Sequence, residues 1–152
     1  MVSTRHELDL AKCDLMLTTC SCLNLRKASR VVTQIYDKSL QPSGLRSTQL
    51  PVLVTLATDG PTTITHLAEE LLMDRTSLAR LLRPLEIARF IEIVPGKDRR
   101  TRGVSLTDRG QKAVAEAMPL WEEAQNFVVH RLGRKRCRDL RENLSAAVAL
   151  IQ

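Results

Sequence analysis

Two short amphipathic helices meeting across a two-residue turn leave a chain few ways to fold, and residues 67–86, LAEELLMDRTSLARLLRPLE, carry that pattern. In the first helix, expected over residues 62–73, Leu67, Ala68, Leu71 and Leu72 recur at helical spacing, with Thr65 as its expected N-cap and His66 near its start. In the second, Leu78, Leu81, Leu82, Leu85 and Ala88 do the same. Only Met73 and Asp74 intervene, and Asp74 suits the N-cap of the second helix because its carboxylate accepts from otherwise unpaired first-turn amides. The leucines turn one face of that helix inward, so Arg75, Thr76, Ser77, Ala79, Arg80 and Arg83 fall mainly on its other sides. Pro84 removes the bond to the Arg80 carbonyl and should bend the last turns.

The helix gives way to two short β-prone runs, FIEIV at residues 90–94 and GVSLT at 103–107, joined by the basic turn PGKDRRTR. Residues 74–102 hold eight Arg or Lys against four Asp or Glu, so +4 of the chain's formal +6 lies in under a fifth of its length. A phosphate-bearing partner follows from that concentration. In a helix-turn-helix, the N-terminal residues of the second helix reach base edges in a major groove. Here these are Arg75, Thr76, Ser77, Ala79 and Arg80. Arginine bonds guanine through two donors, Thr and Ser donate or accept, and a small Ala79 permits close approach. The turn bearing Lys97, Arg99, Arg100 and Arg102 makes a second contact surface, a wing aimed at a flanking minor groove. Asp98 would hold a neighbouring guanidinium by a charge-assisted bond. The competing reading is a solvated hairpin whose charges only block sheet aggregation.

The rest of the chain reads as helices. Its 152 residues suit one domain, and with 43% hydrophobic but only 3% aromatic residues the interior must be Leu, Val, Ile and Ala, which favours helix on helix. Leu8, Leu10, Ala11, Leu15 and Leu17 give a first helix, with a break or cap offered by Thr18, Thr19 and Ser21. Leu25, Ala28, Val32, Ile35, Tyr36 and Ser39 give a second, stopped by Gln41-Pro42-Ser43-Gly44. Arg26, Lys27 and Arg30 on it are read as a solvated face before a DNA contact. Residues 47–57 suit strand or helix by propensity and are read as helix, with Ser47 or Thr48 capping a first turn that tolerates Pro51. Asp59-Gly60-Pro61 is a turn. Thr107 should cap a long helix from Asp108 through Val114, Ala117, Leu120, Trp121, Ala124 and Val128, kinked at Pro119. Gly133 separates it from a final helix whose Leu144, Ala147, Val148 and Ile151 are too apolar for a lone surface helix. A second subunit's terminal helices would bury them; the alternative is a packing site within the chain. The basic run Arg134, Lys135, Arg136, Arg138 and Arg141 is read as solvated.

The fold expected is mainly α with a small β-hairpin wing. N-terminal helices (1–45) for dimerisation and sensing precede a DNA-binding winged helix-turn-helix (46–108), and C-terminal dimerisation helices (109–152) follow it. The N-terminus lacks the apolar core of a signal peptide, and no run approaches the length of a membrane span, so a cytosolic protein with no membrane partner is expected. Cys13, Cys20, Cys22 and Cys137 form no C-x-x-C pair and so no secreted framework or zinc ribbon. On one continuous helix, Cys20 and Cys22 would lie about 200° apart, and Cys13 and Cys20 roughly 10 Å apart, which leaves any bridge to Cys137, another subunit or an external thiol. His6, His66 and His130 lack metal-ligand spacing, so neither metal nor cofactor is expected. Without a nucleophile elbow or phosphate loop, an enzyme built on Cys20 and Cys22 is a remote alternative, as is a helical adaptor that binds no DNA.

Residues 47–110 resemble the winged helix-turn-helix of the MarR family of bacterial transcription regulators. The resemblance is carried by LAEELLMDRTSLARLLRPLE, by FIEIVPGKDRRTRGVSLTDRG and by the Asp98-Arg99-Arg100 wing, and the flanking helices extend it to most of the chain. It implies a homodimer on a pseudo-palindromic double-stranded operator, with the helix from Arg75 in the major groove and Arg99 or Arg100 in the minor groove. Thr65, Arg83, Lys97 and Arg102 complete the expected DNA surface. It also implies regulation by a small ligand, such as an aromatic acid, or by thiol oxidation. Aligned on SRVVTQIY, Cys22 falls where the hydroperoxide-sensing branch keeps its reactive cysteine, and Tyr36 where that branch has an orienting tyrosine. Arg26 and Ser47 replace that branch's other tyrosines, and Arg26, one turn from Cys22, would favour the thiolate.

Overall fold

The computed structural model describes residues 8–95 and 102–151, and the chain divides into two compact units, Met1–Gln34 and Ile35–Gln152. The first unit holds α1 (Leu10–Thr19) and most of α2 (Ser21–Leu40). Asp9 caps α1 by accepting from the Lys12 amide at 3.1 Å. The helix stops at Thr19, because Cys20 turns to extended backbone with ψ 109° and its Sγ accepts from the Leu23 amide at 3.5 Å. Side chains take over the satisfaction of the junction: Asn24 Nδ2 donates to the carbonyls of Thr18 and Cys20, and the hydroxyl of Thr19 bonds back to Leu15. The break offered by Thr18, Thr19 and Ser21 is thus present at Cys20, and the separations that Cys13, Cys20 and Cys22 would have on one continuous helix do not apply.

The second unit begins in the last turns of α2, which closes on Leu40. A 3-10 turn (Gln41–Ser43) and Gly44, in the left-handed region at φ 71°, lead into α3 (Leu50–Asp59). Neither Ser47 nor Thr48 caps α3, contrary to expectation. Gln49 occupies the N-cap without a side-chain bond, its Oε1 accepting instead from the Arg46 amide at 2.9 Å, while the Ser47 amide donates to Asp37. Pro51, in the first turn, has no amide to be capped.

After Gly60 come β1 (Thr62–Thr63) and α4 (Ile64–Glu70), then α5 (Arg75–Ile87), β2 (Ile91–Pro95), β3 (Arg102–Leu106), α6 (Asp108–Leu132) and α7 (Arg134–Ile151). The two expected strands pair antiparallel, Ile91 opposite Leu106 and Pro95 opposite Arg102. A third strand, β1, joins β3 on its other edge, with Thr62 opposite Val104. The cap of α4 is Thr63 rather than Thr65: Thr63 already has the extended backbone of a strand, and its hydroxyl oxygen accepts from the His66 amide at 3.1 Å.

One aliphatic core ties α3, α4, α5, the sheet and α6 together. Leu53 and Leu56 of α3, Leu67 of α4, Leu78, Leu82 and Leu85 of α5, Ile91 and Val104 of the sheet and Ala113 and Ala117 of α6 are all buried in it. The junction from α5 to α6 is tightly bonded. Thr107 Oγ1 donates toward the carbonyls of Arg89 (2.7 Å) and Phe90 (3.1 Å) and accepts from the Gly110 amide at 3.0 Å, so one side chain caps α6 and ties it to the end of α5.

Both helices of the helix-turn-helix end in a left-handed residue that is not glycine. Leu72 has φ 52° after α4 and Arg89 has φ 59° after α5. In each case the following amide reaches back over the last turn, Met73 to Ala68 and Phe90 to Leu85, the bonding of a Schellman close. Holding a side chain with a Cβ in that region costs about 1 kcal/mol.

Candidate nucleic-acid interface

The base of the candidate interface is the Asp74 cap. Asp74 Oδ1 accepts from the Ser77 amide at 2.9 Å and Oδ2 from the Ser77 hydroxyl at 2.6 Å. These bonds, the hydroxyl's first and the amide's second, hold the Asp74 carboxyl below its ordinary value of 3.8. A lowered folded-state pKa means that the cap stabilises the fold above the ordinary carboxylate range and that its contribution is lost as pH falls through the lowered value. Melting curves of the protein and of Asp74→Ala should therefore stand apart at neutral pH and converge in acid. A gap unchanged into acid would show that the carboxylate charge is not what caps α5.

From that cap the sequence of α5 sorts itself by periodicity. Leu78, Leu82 and Leu85 face the core, while Arg75, Thr76, Ala79, Arg80 and Arg83 are exposed. Ser77 is half-buried and its hydroxyl proton is given to Asp74, so it serves the helix start first. Among the described residues, the ion pairs lie on α1 and α7 and at Asp9, and none engages an arginine of α5. The guanidinium groups are thus available to an anionic surface. Thr65 is exposed in the first turn of α4, and Arg102 is exposed at the start of β3 opposite Pro95, so the hairpin base adds a cation. Lys97, Asp98, Arg99 and Arg100 lie outside the described residues.

The candidate sensor residues are divided between the two units. Cys22 and Arg26 are exposed, one turn apart at the start of α2. Tyr36, in the second unit, is half-buried and its hydroxyl donates to Gln125 of α6. Burial raises the Tyr36 phenol above its ordinary value, and the charge of a Cys137 thiolate nearby adds to the effect. The second unit also has an open cavity of about 500 Å3 between the end of α2 and α6, lined by Ile35, Lys38, Ser39, Leu120, Glu123 and Phe127. Sequence reasoning named none of these cavity residues as a site; Lys38 and Glu123 sit within apolar helical patterns and give no signal alone. Leu72, expected in the core from its helical spacing, is 55% exposed.

Comparison with known proteins fits this geometry. Residues 43–101 match the sequence model described as MarR family. The transcriptional regulator MosR of M. tuberculosis, solved in complex with DNA, is 32% identical, with 86% of this chain and 97% of that one covered at a TM-score of 0.74. The transcriptional repressor CouR, solved on a 23-mer DNA duplex, is 25% identical, with 94% and 99% covered at a TM-score of 0.75. The HTH-type transcriptional regulator YwoH of Bacillus subtilis is 28% identical over 92 residues, 60% of this chain and 67% of its own. A Bacillus cereus HTH-type regulator is 30% identical over 97 residues, 64% and 65% respectively, so the chain spans about two thirds of the length of these curated relatives. With an exposed cationic helix capped by Asp74, a three-stranded wing sheet behind it and these relatives, the chain belongs to the MarR family of DNA-binding winged-helix transcription regulators.

Proposed function

We propose that the protein is a homodimeric, cytoplasmic repressor without enzymatic activity that grips a pseudo-palindromic operator through α5 and the hairpin, and that a small aromatic acid releases it. The observation that carries the DNA part is the exposed row Arg75, Thr76, Ala79, Arg80 and Arg83 on a helix whose opposite face is locked into the core. Dimerisation is supported by apolar side chains left in solvent at the chain's ends. Leu10 and Leu15 of α1 are 67% and 60% exposed, and Leu150 and Ile151 of α7 are each 85% exposed. Side chains this open are at home in a subunit interface. No helix among the described residues is long and apolar enough to cross a membrane.

The effector reading rests on the cavity between α2 and α6. Phe127 offers an aromatic surface, 45% exposed, Lys38 a cation for a carboxylate and Ser39 a polar edge, although the Ser39 hydroxyl donates to the Leu120 carbonyl. A fluorescent duplex recovered by selection, bound to the protein and titrated with a series of aromatic acids, tests it. Release by one acid, weakened in Lys38→Ala and Phe127→Ala, is the expected result; no release by any member would remove the ligand from the proposal.

A second reading is favoured by the exposure of Cys22 beside Arg26. An organic hydroperoxide would oxidise the thiolate to a sulfenic acid and be reduced to its alcohol, with loss of DNA affinity. Loss of binding on peroxide treatment that Cys22→Ser prevents supports this reading, and binding indifferent to peroxide ends it.

A further inference from the structure

Leu72 combines two costs that the described chain does not recover. Its backbone sits in the left-handed region at φ 52°, where glycine would be free of strain, and its aliphatic side chain is 55% exposed. It lies at the rim of an open groove of about 430 Å3 that also includes Thr65, Glu69, Asp74 and Arg75. The side chain therefore stands between the first turn of α4 and the first residue of α5, at the edge of the cationic face already described. Arg89 shares the backbone strain and the exposure; what sets Leu72 apart is an aliphatic side chain left in solvent beside a binding surface, and the two costs together point to a residue kept for contact.

We propose that Leu72 is an apolar contact residue of the DNA interface, covered on binding by the apolar wall of a groove, either the C5-methyl of a thymine, which would make it read sequence, or the face of a deoxyribose, which would make it position the helix. The inference rests on the DNA reading of α5. Duplex DNA is the occupant because the groove runs into Arg75 and the exposed row beyond it, whose charge complements a phosphate backbone. Within the groove, Asp74 is engaged with Ser77, and the carboxylate of Glu69 repels phosphate. What docks against Leu72 must then be an uncharged part of the duplex, and a methyl group or sugar is what an isobutyl side chain packs against.

The test separates strain from contact. Leu72→Gly, and Leu72→Asn as a second substitution that tolerates the same backbone, are compared with the unaltered protein for thermal stability and for binding to duplexes selected from a randomised library. Leu72→Gly should melt higher, since the strain is gone, yet bind its selected duplex on the order of tenfold more weakly, the scale of about two buried methylene groups. The salt dependence should not change, because no phosphate contact is lost. Replacing thymines by uracils one at a time then assigns the contact. A single position at which the unaltered protein loses affinity but Leu72→Gly does not identifies the methyl; no such position identifies the sugar. Should Leu72→Gly fold poorly, the binding of Leu72→Asn decides. Full affinity in the folded variants overturns the inference while leaving the DNA reading intact. Failure of the unaltered protein to prefer any duplex overturns both.

Discussion

Gly110→Ala will destabilise the protein by about 3 kcal/mol or more, a loss in the range of a badly overpacked core position. Gly110 is buried in the first turn of α6, and an added Cβ there would lie 2.1 Å from the carbonyl oxygen of Phe90 and 2.6 Å from Cδ1 of Leu106. A leucine methyl can swing aside, but the Phe90 carbonyl cannot. It accepts from the Thr107 amide at 3.0 Å and the Thr107 hydroxyl at 3.1 Å, and those bonds hold the end of α5 against the start of α6. Relief therefore requires the two elements to separate, which would expose Ile91 and Leu85 beneath them, 2% and 1% exposed in the intact fold. For a chain of this size the melting temperature should fall by roughly 6 to 12 °C, as read by calorimetry or circular dichroism. A variant melting within a degree of the parent would show that α6 can shift without disturbing the junction. Because the strain acts where α5 ends, DNA affinity should fall with it as the recognition helix loses its support.

How much of this was legible in the sequence depends on whether the cause was local. The recognition helix was readable because its causes are its own: Asp74 at the cap, leucines at the core spacing and arginines elsewhere, each found where periodicity put it. Thr107 was readable for the same reason. Strand β1 was not, since two threonines carry no alternation and become a strand only by pairing with Gly103 and Val104, forty-odd residues away. That pairing also moved the α4 cap from Thr65 to Thr63, by giving Thr63 the extended backbone a cap requires. The start of α3 differs as well, with Gln49 at the N-cap and its side-chain oxygen turned back to the Arg46 amide, while the Ser47 amide donates to Asp37, ten residues earlier in the chain. The break at Cys20 was legible in Thr18, Thr19 and Ser21, polar residues that interrupt the apolar pattern, whereas the bonds of Asn24 across it are a side-chain interaction that no hydrophobic pattern registers. The cationic face was visible and the exposure of Leu72 was not, because an apolar residue at helical spacing reads as core until the helix is seen to end at Glu70. The absence of a glycine after that helix was the available signal.

Arg80→Ala will weaken binding to a selected duplex by about 1 to 3 kcal/mol, roughly five- to 150-fold, and will relax preference at one position in each half-site. Arg80 lies on the exposed face between Leu78 and Leu82, both buried, so packing fixes the helix while leaving the guanidinium in solvent. It is also close enough to the N-terminus of α5 to reach a base edge in a major groove. The variant should keep its fold, because Arg80 is exposed and alanine is a good helix former. Competition binding against duplexes altered at each position separates base reading from phosphate contact. A loss confined to one base step means a base is read. An equal loss on every sequence, with the salt slope reduced by about one, would make Arg80 a phosphate contact instead. Arg80→Lys sharpens the distinction. Lysine keeps the charge but not the planar fork that pairs with two guanine acceptors, so it should restore a phosphate contact and fail to restore preference for the base. If lysine restores both, recognition at this position is electrostatic, and specificity must come from elsewhere on the face, with Thr76 and Arg75 next in line.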